Sequence, residues 1–154
     1  MTEDTVQLQE VVIPASSIDN KMGLIADIIC LMLDSQVYLV DTLYDIKKNL
    51  IAPIFQDQAL VMIRDEKVIA YCSWAFLSEE AEKKYLQNSN SLEITDWTSG
   101  KNIWLIDVVS PYGDAVKLLD YTKKLGKVLG LEGNKIKYKM YKDAKTFKIG
   151  EVKL

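Results

Sequence analysis

One stretch of the sequence limits the possible folds more than any other, because residues 104–109 are apolar except for a single carboxylate, Asp107. Valine and isoleucine in this run favour a β-strand, and Pro111 and Gly113 close it. A continuous apolar run of this length is typical of a central strand that is buried on both faces. An ionised carboxylate there is costly unless it is paired or hydrogen-bonded. Asp107 is therefore either a structural aspartate or a catalytic or ligand-orienting residue.

Periodic hydrophobic patterns predict the other helices and strands. Apolar residues that recur about every 3.6 positions indicate amphipathic helices, whereas alternation with polar residues indicates half-buried strands. Pro53 is expected to end or kink the second helix. The predicted helices are residues 22–33, 41–51, 79–86 and 115–129. The predicted strands, besides residues 104–109, are residues 59–63, 68–75, 135–141 and 146–152.

The order of these helices and strands predicts an α+β fold. We expect a single domain at residues 19–154, built on a mostly antiparallel, mixed sheet of five or six strands with about four flanking helices. Residues 69–77 are the expected neighbour of the 104–109 strand in this sheet. Residues 1–18 are predicted to form an N-terminal arm that is poorly ordered apart from one edge strand at most.

Composition limits the function classes that are open to the chain. Its 154 residues are 49% hydrophobic and 27% charged, as in a globular domain. The sequence contains no histidine, which excludes histidine-based general acid–base catalysis and removes the commonest metal ligand, so we expect no metal site. Cys30 and Cys72 have no metal-like spacing and are expected to be reduced core thiols. No apolar run reaches the roughly 18 residues of a membrane span, and no basic signal region is evident, which predicts a cytoplasmic protein.

Charge is unevenly distributed along the chain. Residues 1–100 hold 7 Lys and Arg against 16 Asp and Glu, whereas residues 101–154 hold 12 Lys against 6 Asp and Glu. A basic C-terminal third is typical of a protein with an anionic partner, although a solvated lysine surface has the same pattern. We expect one positive surface formed by two sets of lysines, namely Lys135, Lys137 and Lys139 on a strand and Lys123, Lys124 and Lys127 on the preceding helix.

Several clustered aromatic, glycine and acidic motifs resemble one known family. In order along the chain they are residues 70–78, 84–86, 96–100, 104–107 and 111–114, with Arg64 and Asp65 in the first hairpin. The chain resembles the toxin-activating lysine acyltransferases, which activate RTX haemolysins. The resemblance extends over residues 25–152 or so.

The resemblance implies a fold like that of the Gcn5-related acetyltransferases. It also implies the chemistry, because members of the family transfer a fatty acyl group from acyl carrier protein, and not from coenzyme A, to lysine ε-amines of a protoxin. In agreement with that donor, the sequence has no Gly-rich loop of the kind that cradles a pyrophosphate. We therefore expect no bound cofactor, an acyl carrier protein or a partner subunit as partner, and no nucleic acid. An oligomer is compatible with the sequence.

The resemblance also implies the candidate site residues. The family's serine and essential aspartate match Ser35 and Asp107, whereas its essential histidine is replaced by Tyr38. An unperturbed tyrosine, with a pKa of about 10, is a poor base at neutral pH, so Asp107 is the candidate base if burial raises its pKa. The predicted catalytic residues are Asp107, Ser35 and Tyr38. The predicted substrate- or partner-binding residues are Trp74, Trp97, Ser99, Lys135, Lys137 and Lys139.

Two functional hypotheses of different classes follow. The first is an acyltransferase that matures a ribosomally made toxin or bacteriocin. Its variant, within the same family, helps to attach a siderophore to the C-terminus of a microcin together with a partner subunit. The second is a non-catalytic binding module that holds a peptide or a partner enzyme while the partner supplies the chemistry.

Overall fold

The computed structural model describes residues 9–35, 38, 41–143 and 146–154. These residues form one six-stranded sheet whose strands lie in sequence order, and within it only the fourth and fifth strands are parallel. The strands are β1 (Glu10–Pro14), β2 (Ala59–Arg64), β3 (Lys67–Leu77), β4 (Asn102–Val109), β5 (Lys135–Tyr141) and β6 (Phe147–Lys153). The predicted α+β class is confirmed, and the mixed sheet is compatible with a Gcn5-related acetyltransferase fold.

Four helical segments accompany the sheet in the described ranges. They are α1 (Lys21–Leu33), a run in which α2 (Leu43–Ile46) and α3 (Ala52–Phe55) are joined by the π-helical turn Lys47–Ile51, α4 (Glu79–Gln87) and α5 (Ala115–Val128). Asn20 and Ser78 cap α1 and α4, because their side chains accept hydrogen bonds from backbone N–H groups of the first turn. None of these helices is long and apolar enough to cross a membrane.

The second helical run continues through Pro53 instead of ending there. Before the proline the helix widens into a π-helical turn, in which Ala52 N–H donates to the carbonyl of Lys47. Pro53 therefore lies in the first turn of α3, where a missing N–H is tolerated. The widened turn explains why the predicted break is absent.

Helices cover both faces of the sheet. On one face, α1 packs Leu24 and Ile28 against Tyr71 of β3. On the same face, α4 packs Tyr85 against Trp104 of β4, with the two rings edge to face and 5.2 Å apart. We call this the α1/α4 face. It carries the larger part of the core.

The opposite face of the sheet is covered by α5. Leu118 of α5 packs with Cys72, Leu105 and Ile136 from three neighbouring strands. Trp104 and Leu105 are adjacent on β4 and point to opposite faces, as the pleat of a strand requires. We call this the α5 face.

The predicted N-terminal arm contributes β1 to the edge of the sheet. β1 pairs with β2 from Glu10↔Arg64 to Pro14↔Leu60. The Arg64 guanidinium lies 2.6 Å from Glu10 and 2.7 Å from Asp114, so it ties the start of β1 to the start of α5. Residues 1–8 of the predicted arm lie outside the described residues.

Trp97 provides a test of this core. Its side chain is fully buried between β3 and α4, so Trp97→Ala should lower the free energy of unfolding by about 3–5 kcal/mol through a cavity. Phe55→Ala, at an aromatic residue that is 58% exposed, should cost less than about 1 kcal/mol. Urea unfolding of both variants measures the difference, and equal losses would contradict the packing described.

Candidate active site

A cleft of about 1050 Å3 opens on the α1/α4 face, where β4 and β5 part. Their parallel ladder has only three residue pairs and ends at Leu105↔Tyr138. Beyond this pair, β4 continues to Val109 and β5 to Tyr141, and both strand ends line the cleft. The gap between two neighbouring strands therefore forms the floor of the cleft.

A β-bulge in β4 directs Asp107 into this cleft. Ser73 pairs with Asp107 and Trp74 with Leu105, so Ile106 is an extra residue on β4. Ile106 packs towards α4, and Asp107 lines the cleft on the same face. Strict alternation would have placed Asp107 on the same face as Leu105, under α5. The bulge therefore turns the carboxylate to the α1/α4 face.

Asp107 accepts a hydrogen bond from Tyr38. The Tyr38 hydroxyl donates to Asp107 Oδ1 over 3.1 Å. Tyr38 N–H donates to the carbonyl of Ser35, and Asp41 N–H donates to the carbonyl of Tyr38, so two backbone hydrogen bonds hold the tyrosine in place. The Ser35 side chain lines the same cleft, but its hydroxyl makes no hydrogen bond to Asp107 or to the Tyr38 side chain. The three residues predicted to be catalytic therefore share one cleft, and two of them are in contact.

The surroundings of Asp107 change its acidity. Burial raises the pKa of Asp107 to about 7, the Tyr38 hydrogen bond opposes this rise, and the charge of Asp41 adds to it. Burial and then Asp107 raise the pKa of Tyr38 well above its ordinary value. At neutral pH, Asp107 can therefore exchange a proton, whereas Tyr38 stays protonated and donates. Asp107 is half-buried and not fully buried, because the cleft leaves it open on one side.

Sequence reasoning missed the Tyr71 hydroxyl as a polar group of the cleft. Tyr71 lines the cleft, whereas Ser73, the strand partner of Asp107, is fully buried and does not line it. By geometry, neither hydroxyl has a hydrogen-bond partner among the described residues. Burial and then Asp107 raise the pKa of Tyr71, and the nearby Ser73 opposes that rise. The Tyr71 hydroxyl can donate to a ligand or to water in the cleft.

Three predicted contact residues do not line the cleft. Trp74 packs in the core under α5 and Trp97 packs in the core beside α4. The Ser99 hydroxyl accepts from Ser78 N–H and donates to the carbonyl of Asp96, which fastens the loop before β4. The contacts of these three side chains within the protein account for their presence, with no need of a contact to a substrate.

The strand lysines do not form one surface with the lysines of α5. Lys137 lies on the α1/α4 face, where its ammonium is 2.7 Å from Glu82, whereas Lys123 lines a cavity on the α5 face. Lys139 donates to the carbonyl of Tyr85 and to Ser89, and burial lowers the pKa of Lys139 to about 8. Lys135 is exposed and pairs with Glu151. The expected single positive surface is therefore wrong, because the sheet separates the two sets.

The thiols and acidic residues show no metal site. Among the described residues, no group of three or more Cys, Asp or Glu is arranged to hold a metal ion. Cys72 is buried beside Thr122, and burial raises its pKa to about 11, as expected of a core thiol. Cys30, also expected in the core, is exposed on α1.

Comparison with known proteins identifies the family of the chain. The family model described as the RTX toxin acyltransferase family matches residues 18–151. The RTX-II toxin-activating lysine acyltransferase of Actinobacillus pleuropneumoniae is 38% identical over 118 residues, which cover 65% of this chain and 72% of that relative.

Two further relatives extend the comparison. The protein-lysine myristoyltransferase of Escherichia coli is 45% identical over 76 residues, so the alignment spans 49% of this chain and only 45% of that enzyme. The leukotoxin-activating lysine acyltransferase of Mannheimia haemolytica is 29% identical over 142 residues, or 80% of this chain and 85% of that relative. The predicted family and its enzyme class, acyltransferase, are confirmed: the chain belongs to the RTX toxin acyltransferase family.

Proposed function

We propose that this protein transfers a fatty acyl group from the thioester of an acyl carrier protein to a lysine ε-amine of a protein toxin. The observation that carries the proposal is the Asp107 carboxylate, which accepts a hydrogen bond from Tyr38 and lines a cleft of about 1050 Å3, where burial raises its pKa to about 7. The relatives named above as toxin-activating lysine acyltransferases support the acceptor. The myristoyltransferase among them supports a fatty acyl group. We propose the cytoplasm as the site of the reaction, since a carrier protein is the donor.

The proposed reaction assigns the proton transfer to Asp107. The substrate's ε-ammonium gives a proton to the Asp107 carboxylate, and the neutral amine attacks the thioester carbonyl carbon. A carbon–nitrogen bond forms and the carbon–sulfur bond breaks. The proton that the attacking nitrogen loses as the amide forms goes to the leaving thiolate, and Asp107 then releases the proton of the ε-ammonium to solvent. Tyr38 holds the carboxylate in position through its hydrogen bond. The Tyr71 hydroxyl, which lines the cleft and has no hydrogen-bond partner by geometry among the described residues, is a donor for the charge that develops on the carbonyl oxygen.

The groups in the cleft favour this enzyme over a binding module that lacks chemistry. A module has no need of a half-buried carboxylate that titrates near neutral pH, since such a group destabilises the fold when it ionises. Lysine acylation of a toxin is also favoured over maturation of a bacteriocin or microcin, because the relatives named above are lysine acyltransferases.

Activity should depend on the ionisation of Asp107. We expect kcat/KM for acyl transfer to rise with pH through about 7 and to fall at least roughly 100-fold in Asp107→Asn. Tyr38→Phe removes the hydrogen bond that lowers the pKa of Asp107, so the midpoint of its pH profile should move upward. Transfer of a labelled acyl group to a toxin fragment measures both effects. An active Asp107→Asn variant would refute the assignment of the base.

The stability of the fold should change with pH in the opposite direction to the activity. The pKa of Asp107 is higher in the folded than in the unfolded protein, so its contribution to stability is fully present below the unfolded value and is lost as pH rises through about 7. Asp107→Asn, which keeps an acceptor for Tyr38, should therefore be more stable than the unchanged protein at pH 8, and this advantage should vanish near pH 4. Urea unfolding at both pH values measures it. A variant that is less stable at pH 8 would make Asp107 a structural residue.

Carrier-protein binding should depend on the lysines of α5. Lys124 and Lys127 are exposed and Lys123 is half-buried, and none of the three forms an ion pair with a described residue. Charge reversal of Lys124 and Lys127 to Glu should weaken binding of acyl carrier protein, and the affinity of the unchanged protein should fall as salt rises. The matched control reverses Lys83 and Lys101, which changes the net charge equally. Equal losses in both variants would exclude a specific role for α5.

A further inference from the structure

A second, smaller cavity lies on the α5 face, directly behind the cleft. Its volume is about 110 Å3, and most of its lining is apolar, with Val116 of α5 at one side and Ile136 and Val152 of β5 and β6 at the other. The cleft lies on the α1/α4 face, so the sheet stands between the two spaces.

Three side chains line both spaces: Leu105 of β4, Leu119 of α5 and Tyr138 of β5. Leu105 and Tyr138 form the last pair of the β4–β5 ladder, so beyond them no ladder hydrogen bond closes the sheet. The division between the cleft and the cavity at this point therefore consists of side chains.

Gly150 of β6 leaves room for the ring of Tyr138, one of the three side chains that separate the cleft from the cavity. A Cβ added at Gly150 would lie 2.4 Å from Cζ of Tyr138, so the ring rests directly on the glycine backbone. The ring occupies space that any other residue at position 150 would fill. Its position is therefore set by β6 as well as by β5.

We propose that the small cavity receives the distal end of the transferred acyl chain and that Leu105, Leu119 and Tyr138 set the chain length that the protein accepts. This inference rests on the proposed function, because it concerns the acyl group in the same cleft. An acyl group whose carbonyl lies at Asp107 would enter the cavity between these three side chains, which line both spaces. A methylene group is close in size to a water molecule, which occupies about 30 Å3 in the liquid, so the cavity holds several methylenes.

Filling the cavity from outside tests the proposal without touching the cleft. Val116 is 72% exposed and lines only the cavity, so Val116→Trp places an indole over it. Val128→Trp is the matched control, since Val128 lies on the same helix, is 82% exposed and lines neither space. The probes are S-decyl and S-tetradecyl pantetheine thioethers, which cannot transfer their chains.

The ratio of the two dissociation constants, measured by calorimetry, is decisive. Each buried methylene changes an affinity roughly fourfold. The unchanged protein and Val128→Trp should therefore bind the tetradecyl probe more tightly than the decyl probe. In Val116→Trp the ratio of the two dissociation constants should be at least about tenfold smaller. Leu119→Ala should increase it. An unchanged ratio in Val116→Trp would overturn the inference. Failure of the proposed function would give a different result. A protein that acylates no toxin lysine but still binds the two probes would keep its preference for the longer one.

Discussion

The early end of the β4–β5 ladder is the constraint on which the candidate site depends. A parallel pair that continued to Val109 and Tyr141 would close the floor of the cleft with backbone hydrogen bonds. Instead, the second half of β5 is tied elsewhere: Lys139 donates to the carbonyl of Tyr85, and the Tyr141 hydroxyl shares a hydrogen bond with Ser89. The strand is thus drawn towards the end of α4 and away from β4. The space between the two strands follows from these contacts.

On the same side of the sheet, one charged side chain links α4 to the paired part of β4 and β5. Glu82 of α4 accepts hydrogen bonds from Lys137, from Trp104 Nε1 and from Asn102, so one half-buried carboxylate links α4 to both β4 and β5. Removing any donor would leave part of that charge without a partner, which costs more than the pair itself contributes. The contacts of Glu82 lie beside the paired part of β4 and β5. They stabilise the three residue pairs of the β4–β5 ladder and do not hold the two strands together beyond its end.

Much of the fold could be predicted from the sequence because the relevant signals are local. Periodicity located the helices and the main strands. The bulge at Ile106 could not be predicted, since an extra residue in a strand has no signature in an apolar run. The lysines of β5 were expected to form one positive surface with those of α5, and that expectation was wrong, because alternation separates the two faces of a strand but does not say what covers each of them.

The candidate site shows the same limit. The family resemblance brought Ser35, Tyr38 and Asp107 together, but it could not supply Tyr71, whose place in the cleft beside Asp107 depends on the register of β3 against β4. It also attributed roles to Trp74 and Trp97 that their burial in the core makes unnecessary. Motifs identify residues that a family keeps, and a structural residue is kept as strictly as a chemical one.

The family resemblance implies that a tyrosine stands at position 38 in place of an essential histidine, and the proposed mechanism depends on which group takes the proton. A histidine at position 38 would titrate near neutral pH, and the carboxylate beside it would serve to orient the ring. A tyrosine beside the same carboxylate stays protonated, because burial and the charge of Asp107 both raise its pKa. In the proposed mechanism the tyrosine therefore only donates, and the carboxylate is the acceptor of the pair. Burial raises the pKa of Asp107 to about 7, which is close to the ordinary pKa of an imidazole. The proposed proton-accepting role thus falls on residue 107 and not on residue 38.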